Sequence, residues 1–365
     1  MIIYYPYLLT FGGHERLILD LAEYYSNVHG TRLTLWTHEL KLPVFRKSRD
    51  INCIVLGGSS YLGRIRALKE RNRIESGHRI LTFGIQGAFY LYLSGSSNYI
   101  LHYTDPPSLL TQEKQKLNII HLVRDLAVNI VISRSVSKAV KRIAMTRSSA
   151  AELSTLYNES FEVIYLGTNR NVDNRRHERR GLGSYSTPIT IMSVCRLEKS
   201  KNIDWIIRSF CQKTLPDDIR GIDICINIIG EGSQRQELMD TAADYMRTNP
   251  YLKVNLKGYA SDKLIRDLYK ECDLVAVPAK QGYGLPILEA AVNGIPVVLS
   301  KESRVSEILG DDLFFIVTNH NQVAFMQGLF EAIRRLKSGL FPTIPSSKIP
   351  TREEWAYSIC KAYMN

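Results

Sequence analysis

Residues 281–298 constrain the fold more than any other part of this 365-residue sequence. An apolar run with the length and composition of a buried strand, residues 273–277, comes just before them. A glycine-rich turn follows, and Pro286 suits the first turn of a helix, where the missing N–H has no partner to lose. Asn293 and Gly294 are typical of a helix end, and a second apolar run closes the stretch. The pattern predicts strand, glycine turn, helix and strand, which is one parallel unit of an α/β sheet.

This glycine turn is a candidate ligand site. Ligands of parallel sheets bind at the carboxyl ends of the strands. Small residues let the backbone approach a ligand, and a helix N-terminus offers N–H groups and the positive end of its dipole. Glu289 is expected in the first helical turn, either as an ordinary helix-start carboxylate or as one aimed at ligand hydroxyls.

The same residues carry a resemblance to a known family. The stretch resembles the donor-binding motif of retaining glycosyltransferase family 4, the glycogen-synthase-like group, which reads Glu-Gly-Phe-Gly-Leu-Pro-x-x-Glu-Ala and then Gly-x-Pro-Val-Val. Tyr283 replaces the phenylalanine, and Gln281 replaces the first glutamate. The positions that match are Gly282, Gly284, Leu285, Pro286, Glu289, Ala290, Gly294, Pro296, Val297 and Val298.

The resemblance implies an α/β chain of the GT-B fold, with two facing Rossmann-like, doubly wound domains and a cleft between them. Residues 1–170 are expected to form an acceptor domain, onto which a C-terminal helix, residues 351–365, packs back. Residues 171–350 are expected to form the domain that binds a nucleotide-sugar donor. Residues 170–187 are polar and rich in arginine and glycine, as in a hinge and loop.

The N-terminal part repeats the pattern of strand, glycines and helix. An apolar strand within residues 1–10 precedes Gly12 and Gly13, and the helix after them ends at Gly30. The resemblance implies that backbone amides at this glycine pair approach the donor diphosphate and the acceptor.

His102 lies at the end of a predicted strand, residues 98–103. A single histidine there is either a structural residue with satisfied nitrogens or a functional one. The resemblance implies a hydrogen bond from this histidine to the transferred sugar, without a role as general base. Residues 129–133 are predicted as a further strand, with Ser135 capping a basic helix over residues 136–145, because this segment resembles the family's Val-Ile-x-x-Ser motif.

Arg196 and Lys201 follow the predicted strand 189–194 and match the family pattern Gly-Arg-Leu-x-x-x-Lys-Gly. Cys195 and Asn202 stand where that pattern has glycine. On spacing alone the two cations are either solvated surface charges or a pair that stabilises a leaving diphosphate. Together with residues 281–294, the resemblance favours the second interpretation.

The resemblance also assigns roles to the remaining donor-site residues. Gly258 and Tyr259 are expected to pack against the nucleotide base, Glu289 to hold ribose hydroxyls and Gln281 to contact the sugar. Backbone N–H groups of the glycine turn are expected to bind sugar and phosphate oxygens; these residues are Gly282, Tyr283, Gly284 and Leu285.

Composition narrows the class of protein. Apolar residues make up 45% and charged residues 23%, which is typical of a globular chain. No apolar run approaches the roughly 18 residues of a membrane span, and the N-terminus lacks the basic segment of a signal peptide. Six scattered cysteines are expected to be buried, reduced thiols of a cytoplasmic protein. No Asp-x-Asp metal motif is present, so no metal is expected, and no cofactor besides the nucleotide sugar.

The net charge of +11 is unevenly placed. Residues 1–170 carry 21 Lys or Arg against 13 Asp or Glu, a net +8. Such a surface is either a solvated basic face or one that meets an anionic membrane or a phosphorylated lipid acceptor. Nucleic acid is the weaker partner, because no nucleic-acid module is recognisable.

The resemblance therefore implies a metal-independent retaining glycosyltransferase that moves a hexose-type sugar to a glycan, lipid-linked or small-molecule acceptor. Cell-surface or exopolysaccharide synthesis on the inner face of a membrane is the expected setting. Because Gln281 replaces a glutamate, a catalytically impaired protein that binds sugar nucleotides stays open as the alternative. An epimerase also stays open, whereas a phosphorylase and a nicotinamide oxidoreductase are disfavoured, the latter by the absence of Gly-x-Gly-x-x-Gly.

Overall fold

The computed structural model describes residues 1–104, 119–169, 188–310, 312–342, 345 and 347–365, with side chains from residue 128 in the second range and without that of Asp262. The chain divides into two compact units. The first contains Met1–Leu166 and Arg352–Asn365, and the second contains Gly167–Thr351. The sequence prediction set the boundary after residue 170, in a predicted hinge whose residues, 170–187, lie outside the described ranges.

The first unit is built on a seven-stranded parallel sheet in the order β5-β3-β1-β6-β7-β8-β9. A separate pair, β2 and β4, is also parallel. The strands are β1 (Ile2–Tyr4), β2 (Tyr7–Leu8), β3 (Leu33–Thr37), β4 (Glu39–Leu40), β5 (Ile51–Val55), β6 (Ile80–Phe83), β7 (Tyr99–Tyr103), β8 (Lys141–Ala144) and β9 (Glu162–Val163).

Helices connect these strands, as parallel pairing requires. Gly30, at φ 65°, ends the first helix, so the predicted stop is confirmed. The helices are α1 (Gly13–His29), α2 (Pro43–Lys47), α3 (Tyr61–Ile74), α4 (Gly84–Leu93), α5 (Ile119–Ser137) and α6 (Arg147–Tyr157).

The second unit has a six-stranded parallel sheet in the order β12-β11-β10-β13-β14-β15. Its strands are β10 (Ile189–Val194), β11 (Ile224–Ile229), β12 (Leu252–Gly258), β13 (Leu274–Val277), β14 (Val297–Ser300) and β15 (Phe315–Thr318). Its helices are α7 (Asp204–Arg208), α8 (Arg235–Thr248), α9 (Asp262–Glu271), α10 (Leu285–Val292) and α11 (Gln322–Lys337), and two short 3-10 helices cover Lys199–Lys201 and Arg304–Ile308.

The chain then returns to the first unit as α12 (Arg352–Met364). Near the two ends of the second unit, the Thr168 N–H donates to Pro350 O at 3.1 Å. In the first unit, α12 buries Trp355 completely against its core, and Arg352 pairs with Asp20 of α1 at 2.7 Å.

The central prediction is confirmed. β13, the glycine turn, α10 and β14 form one parallel unit, and β13 pairs with β14 from Val275 to Val277. Pro286 lies in the first turn of α10, and Asn293 is the residue that ends it. Both sheets have helices between their strands, as the Rossmann-like prediction requires.

One segment of the first unit was wrongly predicted. Residues 129–133 belong to helix α5, and the strand predicted there is instead β8, which begins at Lys141. Ser135 does not cap a helix: it is buried within α5, and its hydroxyl donates to Ile132 O at 2.7 Å. The capping residue of the helix after β8 is Thr146, whose hydroxyl accepts from the Ser149 N–H.

The cysteine prediction is partly right. All six are free thiols, but only Cys272 and Cys360 are buried, and the other four are half-buried.

Candidate functional site

The order of the second sheet creates a switch point. From β10 the chain builds outward to β11 and β12 on one side, and from β13 it builds to β14 and β15 on the other. The loops after β10 and β13 therefore leave neighbouring strands in opposite directions at the carboxyl edge. In doubly wound sheets this is where ligands bind. Arg196 and Lys201 follow β10, and the glycine turn follows β13.

The glycine turn has a backbone conformation that glycine adopts readily and other residues do not. Gly284 precedes α10 with φ 116°, a conformation that side chains with a Cβ rarely adopt. A Cβ built there would lie 2.9 Å from Ile287 Cδ1 and 3.2 Å from Val305 Cγ1. Leu285 is the first residue of α10, and no side chain caps that helix N-terminus.

The segment after β14 supports the glycine turn through backbone hydrogen bonds. The Gln281 N–H donates to Glu302 O at 3.3 Å, and the Val305 N–H donates to Tyr283 O at 3.1 Å. Tyr283 is buried, whereas Gln281 and Gly282 are half-buried. This backing leaves the turn little freedom to move, which suits a preformed binding loop.

Glu289 is the fifth residue of α10, so its expected place in the first turn is wrong. The helix begins at Leu285, so Glu289 falls just beyond the first turn. The side chain of Glu289 is half-buried, and its Oε2 accepts a long hydrogen bond of 3.4 Å from Tyr269 of α9.

Arg196 and Lys201 lie in different environments. The Arg196 side chain is 75% exposed, and its Nη1 donates to Glu198 Oε1 at 2.8 Å. Lys201 is half-buried, and burial lowers its pKa, although the nearby Cys195 thiol acts in the opposite direction. Burial likewise raises the pKa of Cys195 to about 11. The half-buried cation is therefore the better placed of the two to act in a site with reduced screening.

One departure from the family pattern has a direct structural reason. Asn202 ends the short 3-10 helix that carries Lys201. The backbone of Asn202 is in the left-handed conformation, at φ 52° and ψ 33°. Asparagine tolerates that conformation better than most residues with a side chain. It can therefore replace the family's glycine without changing the backbone around Lys201.

The next loops approach Cys195 closely. A Cβ on Gly230 would lie 1.8 Å from Cys195 O, and one on Gly232 would lie 2.3 Å from Leu197 O. Gly258, at φ 71°, ends β12, and its carbonyl accepts from the Gly230 N–H at 2.8 Å. Tyr259, the next residue, is 76% exposed, so its ring is available to a ligand.

In the first unit, Gly12 and Gly13 begin α1. Gly12 is the N-cap with extended backbone and no side-chain cap, and both glycines are exposed. Neither needs a left-handed conformation. A Cβ on Gly13 would meet nothing within 4 Å. The glycine pair therefore leaves the amide end of α1 open to solvent.

His102 is completely buried within the first unit. Its ring lies between Phe83 and Trp355, at centroid distances of 5.4 and 6.2 Å. Neither ring nitrogen has a partner among the described residues, and burial, followed by nearby His14, lowers the His102 pKa to about 3. The predicted hydrogen bond to a sugar therefore has no exposed ring atom to serve it.

His14 was not among the site residues predicted from the sequence. It lies beside Thr104, just after the carboxyl end of β7. Its Nδ1 pairs with Tyr5 Oη at 3.1 Å, and its Nε2 pairs with Thr104 Oγ1 at 2.5 Å. Its position directly after the glycine pair is the signal that could have identified it.

Comparison with known proteins gives a family likeness for the second unit. Residues 174–337 match the family model described as glycosyl transferases group 1. The second unit is therefore similar to this family over most of its length. The match includes Arg196, Lys201, the glycine turn and Glu289.

Two curated proteins that are similar to part of this chain are named as glycosyltransferases. An uncharacterized glycosyltransferase of Methanocaldococcus jannaschii is 25% identical over 194 residues, which are 50% of this chain and 48% of that protein. One subunit of the human phosphatidylinositol N-acetylglucosaminyltransferase is 31% identical over 160 residues, 42% of this chain and 30% of that protein. This chain thus spans about half or less of these relatives.

The whole chain resembles solved glycosyltransferase structures. Anabaena Alr3699/HepE, in complex with UDP and glucose, superposes with a TM-score of 0.70 at 16% identity, over 100% of this chain and 99% of that one. At this identity the likeness shows the fold, which is the GT-B fold predicted from the sequence.

Metal-binding clusters and membrane-spanning helices are both absent from the part of the chain that the structure describes. No group of three or more His, Cys, Asp or Glu side chains there is arranged to hold a metal ion. No helix there has the length and apolarity needed to cross a membrane.

Proposed function

We propose that this protein is a retaining glycosyltransferase that moves a hexose-type sugar from a nucleoside-diphosphate sugar to a glycan, lipid-linked or small-molecule acceptor. The observation that carries the proposal is the switch point of the second sheet. There a half-buried lysine and an arginine follow β10, and a glycine turn with a positive φ at Gly284 precedes α10 after β13. A cationic edge beside a helix N-terminus suits a ligand with two phosphates and a sugar.

The proposed reaction follows from where charge develops. The bond between the sugar C1 and the diphosphate oxygen breaks, and negative charge grows on the leaving diphosphate. Lys201 and Arg196 stabilise that charge. The acceptor oxygen forms its bond to C1 on the same face, and its proton passes to a phosphate oxygen. Gln281 contacts the sugar, and Glu289 holds the ribose hydroxyls.

We propose that two fixed cations replace a divalent metal. Their charge neutralises the diphosphate without a metal ion, and the half-buried Lys201 is screened less than a surface lysine. No cofactor besides the nucleotide sugar is part of the proposal.

The donor screen can begin with uridine nucleotides. Alr3699/HepE was solved with UDP and glucose, and the human relative is named as an N-acetylglucosaminyltransferase. UDP-glucose and UDP-N-acetylglucosamine are therefore the first donors to test, followed by guanosine and adenosine diphosphate sugars.

The test measures release of nucleoside diphosphate and thermal shift on the same samples, with a chelator present. The proposal expects one donor to stabilise the protein and to be turned over when lipid and glycan acceptors are supplied. No shift with any donor would contradict it. Turnover only after Mg²⁺ or Mn²⁺ is added would contradict metal independence.

Gln281 keeps one alternative in play, a catalytically impaired protein that binds sugar nucleotides. The amide retains an acceptor oxygen, loses the charge and adds a donor. If the protein is an active transferase, Gln281→Glu should change turnover by less than about tenfold, about 1.4 kcal/mol of barrier. A rise from no turnover to clear turnover in that variant would favour the alternative.

The setting we propose is the cytoplasmic face of a membrane, in cell-surface or exopolysaccharide synthesis, without a nucleic-acid partner. The basic excess of residues 1–170 supports this proposal. Co-sedimentation with phosphatidylcholine vesicles, with and without phosphatidylglycerol, tests it. No binding to the anionic vesicles at low salt would rule it out.

A further inference from the structure

The carboxyl edge of the first sheet carries an arginine whose position is fixed from several sides. Arg64 lies in the first turn of α3, after the loop that follows β5. Its neighbours come from β2, from that loop and from α4. We call Arg64, Tyr7, Tyr90, Tyr61 and Phe89 the Arg64 cluster.

Neutral groups hold the guanidinium. Arg64 Nη1 donates to Tyr7 Oη at 2.8 Å, and Arg64 Nε donates to Gly58 O at 3.1 Å. The guanidinium carbon lies 4.9 Å from the centroid of the Tyr7 ring, within range of a cation–π contact. Tyr7 in turn shares a 2.6 Å hydrogen bond with the hydroxyl of Tyr90. These contacts fix the fork of Arg64 and leave some of its five donors unused.

The positive charge of Arg64 is not neutralised. No carboxylate lies within salt-bridge distance of it in the described ranges, whereas several half-buried arginines of this unit have one; these pairs are Arg71–Glu75, Arg142–Glu159 and Arg352–Asp20. Burial and the bond to Tyr90 raise the pKa of Tyr7 to about 12, so the hydroxyl stays neutral near pH 7. Because a neutral tyrosine hydroxyl holds Arg64, the full positive charge of the guanidinium is available to a ligand.

A second layer of residues supports this arrangement. Gly57 and Gly58 have φ of 73° and 95°, and a Cβ on Gly58 would lie 2.7 Å from Arg64 N. The buried ring of His38 fixes the loop, since its Nδ1 lies 2.7 Å from Gly57 O. A carbonyl can only accept, so Nδ1 is the donor. Two glycines and a buried histidine therefore bring Gly58 O to the Arg64 Nε.

An aromatic surface lies next to the charge. Tyr61, the first residue of α3, is 44% exposed, and its ring centroid lies 5.4 Å from that of Tyr90 and 6.1 Å from that of Phe89. The half-buried Phe89 extends the same face. An exposed tyrosine and a half-buried phenylalanine beside a fixed cation suit a ligand with an apolar ring face and an anionic group.

We propose that the Arg64 cluster binds the acceptor through an anionic group, a phosphate or carboxylate carried by a hydroxyl-rich ring. This inference rests on the proposed function, because it assigns the acceptor class of the same enzyme. Arg64 receives the anion with its remaining N–H donors, and the ring lies against Tyr61 and Phe89. Tyr7, Tyr90 and His38 act as positioning residues.

The test measures binding of acceptor analogues to the full chain, saturated with UDP so that the second unit cannot bind their phosphate. Saturation-transfer NMR titrations compare glucose 6-phosphate and glucuronate with neutral glucose. We expect the anionic ligands to bind at least tenfold more tightly than glucose, and Arg64→Gln to remove that preference. Tyr7→Phe keeps the positive charge of Arg64 but removes the hydroxyl that accepts from its Nη1, so the guanidinium is held less firmly. Anion binding should weaken about threefold to tenfold.

Arg66→Gln is the matched control, because Arg66 is exposed two residues away on the same helix. It should leave the preference intact. An equal loss in Arg66→Gln and Arg64→Gln would mean a diffuse basic surface and would overturn the inference. So would equal binding of glucose and glucose 6-phosphate. The urea-unfolding midpoint of each variant, followed by circular dichroism, shows whether the first unit is folded.

The two proposals fail in different ways. Normal UDP binding and donor turnover without an Arg64-dependent preference would remove only this inference. Arg64-dependent anion binding without turnover of any donor would remove the proposed function and leave an anion-binding site that has no acceptor role.

A second arm separates soluble from lipid-borne anions. Wild-type and Arg64→Gln proteins are co-sedimented with phosphatidylcholine vesicles that contain or lack phosphatidylinositol, whose headgroup is a hydroxyl-rich ring on a phosphate. Arg64-dependent binding to these vesicles places the anion on a lipid, whereas Arg64-dependent binding of glucose 6-phosphate alone places it on a soluble sugar. If neither the vesicles nor glucose 6-phosphate shows Arg64-dependent binding, the inference is overturned.

Discussion

At the scale of single residues, the loops at the carboxyl edge of the second sheet depend on local backbone chemistry. Glycines after strands, Pro286 at a helix start and Asn293 at its end can each be recognised from neighbours in sequence. Arg64 could not be recognised this way. Its partners, Tyr7 and Tyr90, are far from it in sequence and meet it only through the sheet.

The ion pair of Arg196 with Glu198 gives a prediction at this scale. Glu198→Gln should strengthen UDP binding by about twofold to fivefold, because an exposed pair worth roughly 0.5–1 kcal/mol no longer competes for the guanidinium. Calorimetric titration at low salt measures it, and the gain should shrink as salt is added. Asp244→Asn, which breaks an exposed pair with Arg247 on α8, is the control and should change nothing. Weaker UDP binding in Glu198→Gln would contradict the assignment of Arg196.

At the scale of elements, most strands were predicted correctly, and α5 with β8 shows why one was not. Val131, Ile132 and their neighbours form a β-branched run that imitates a buried strand, but they continue a helix that begins at Ile119. β8 carries Lys141 and Arg142, whose charges resemble a helix surface. Pairing of β8 with β7 on one side and β9 on the other decides its structure, and such pairing is not visible in a local pattern.

The start of α10 gives a prediction at the scale of secondary-structure elements. Gly284→Ala should destabilise the protein by about 1–3 kcal/mol, since the new Cβ meets Ile287 and Val305 and the conformation is unfavourable for alanine. UDP affinity should fall with it, because the turn must shift. Urea unfolding and UDP titration measure the two effects.

Gly13→Ala is the control for stability. It lies at the start of α1 with no atom within 4 Å of its new Cβ, so its unfolding midpoint should not fall. Equal stability of Gly284→Ala and Gly13→Ala would show that the backbone of the turn does not require glycine at position 284.

At the scale of the whole molecule, the last helix belongs with the first unit although it follows the second in sequence. Both the C-terminal helix and its return to the first unit were expected from the resemblance. Its buried Trp355 explains the destination physically, because the ring lies against His102 of β7 in the interior of the first unit.

Truncation of Trp355 should therefore be costly. Trp355→Ala should destabilise the first unit by about 3–5 kcal/mol, the usual cost of emptying an aromatic site in a core. Tyr357→Ala, on the same helix and 56% exposed, should stay within about 0.5 kcal/mol of wild type. Urea unfolding compares the two, and similar losses would contradict the packing of α12.

The central claim is that the carboxyl edge of the second sheet binds a nucleoside diphosphate through Lys201. Calorimetric titration of UDP in the presence of a chelator tests it on wild type, Lys201→Gln and Lys199→Gln, a lysine of the same 3-10 helix that is exposed. We predict that wild type and Lys199→Gln bind UDP equally, and that Lys201→Gln loses at least tenfold in affinity, about 1.4 kcal/mol. Equal affinity of all three proteins, or no binding of UDP by wild type, would contradict the claim.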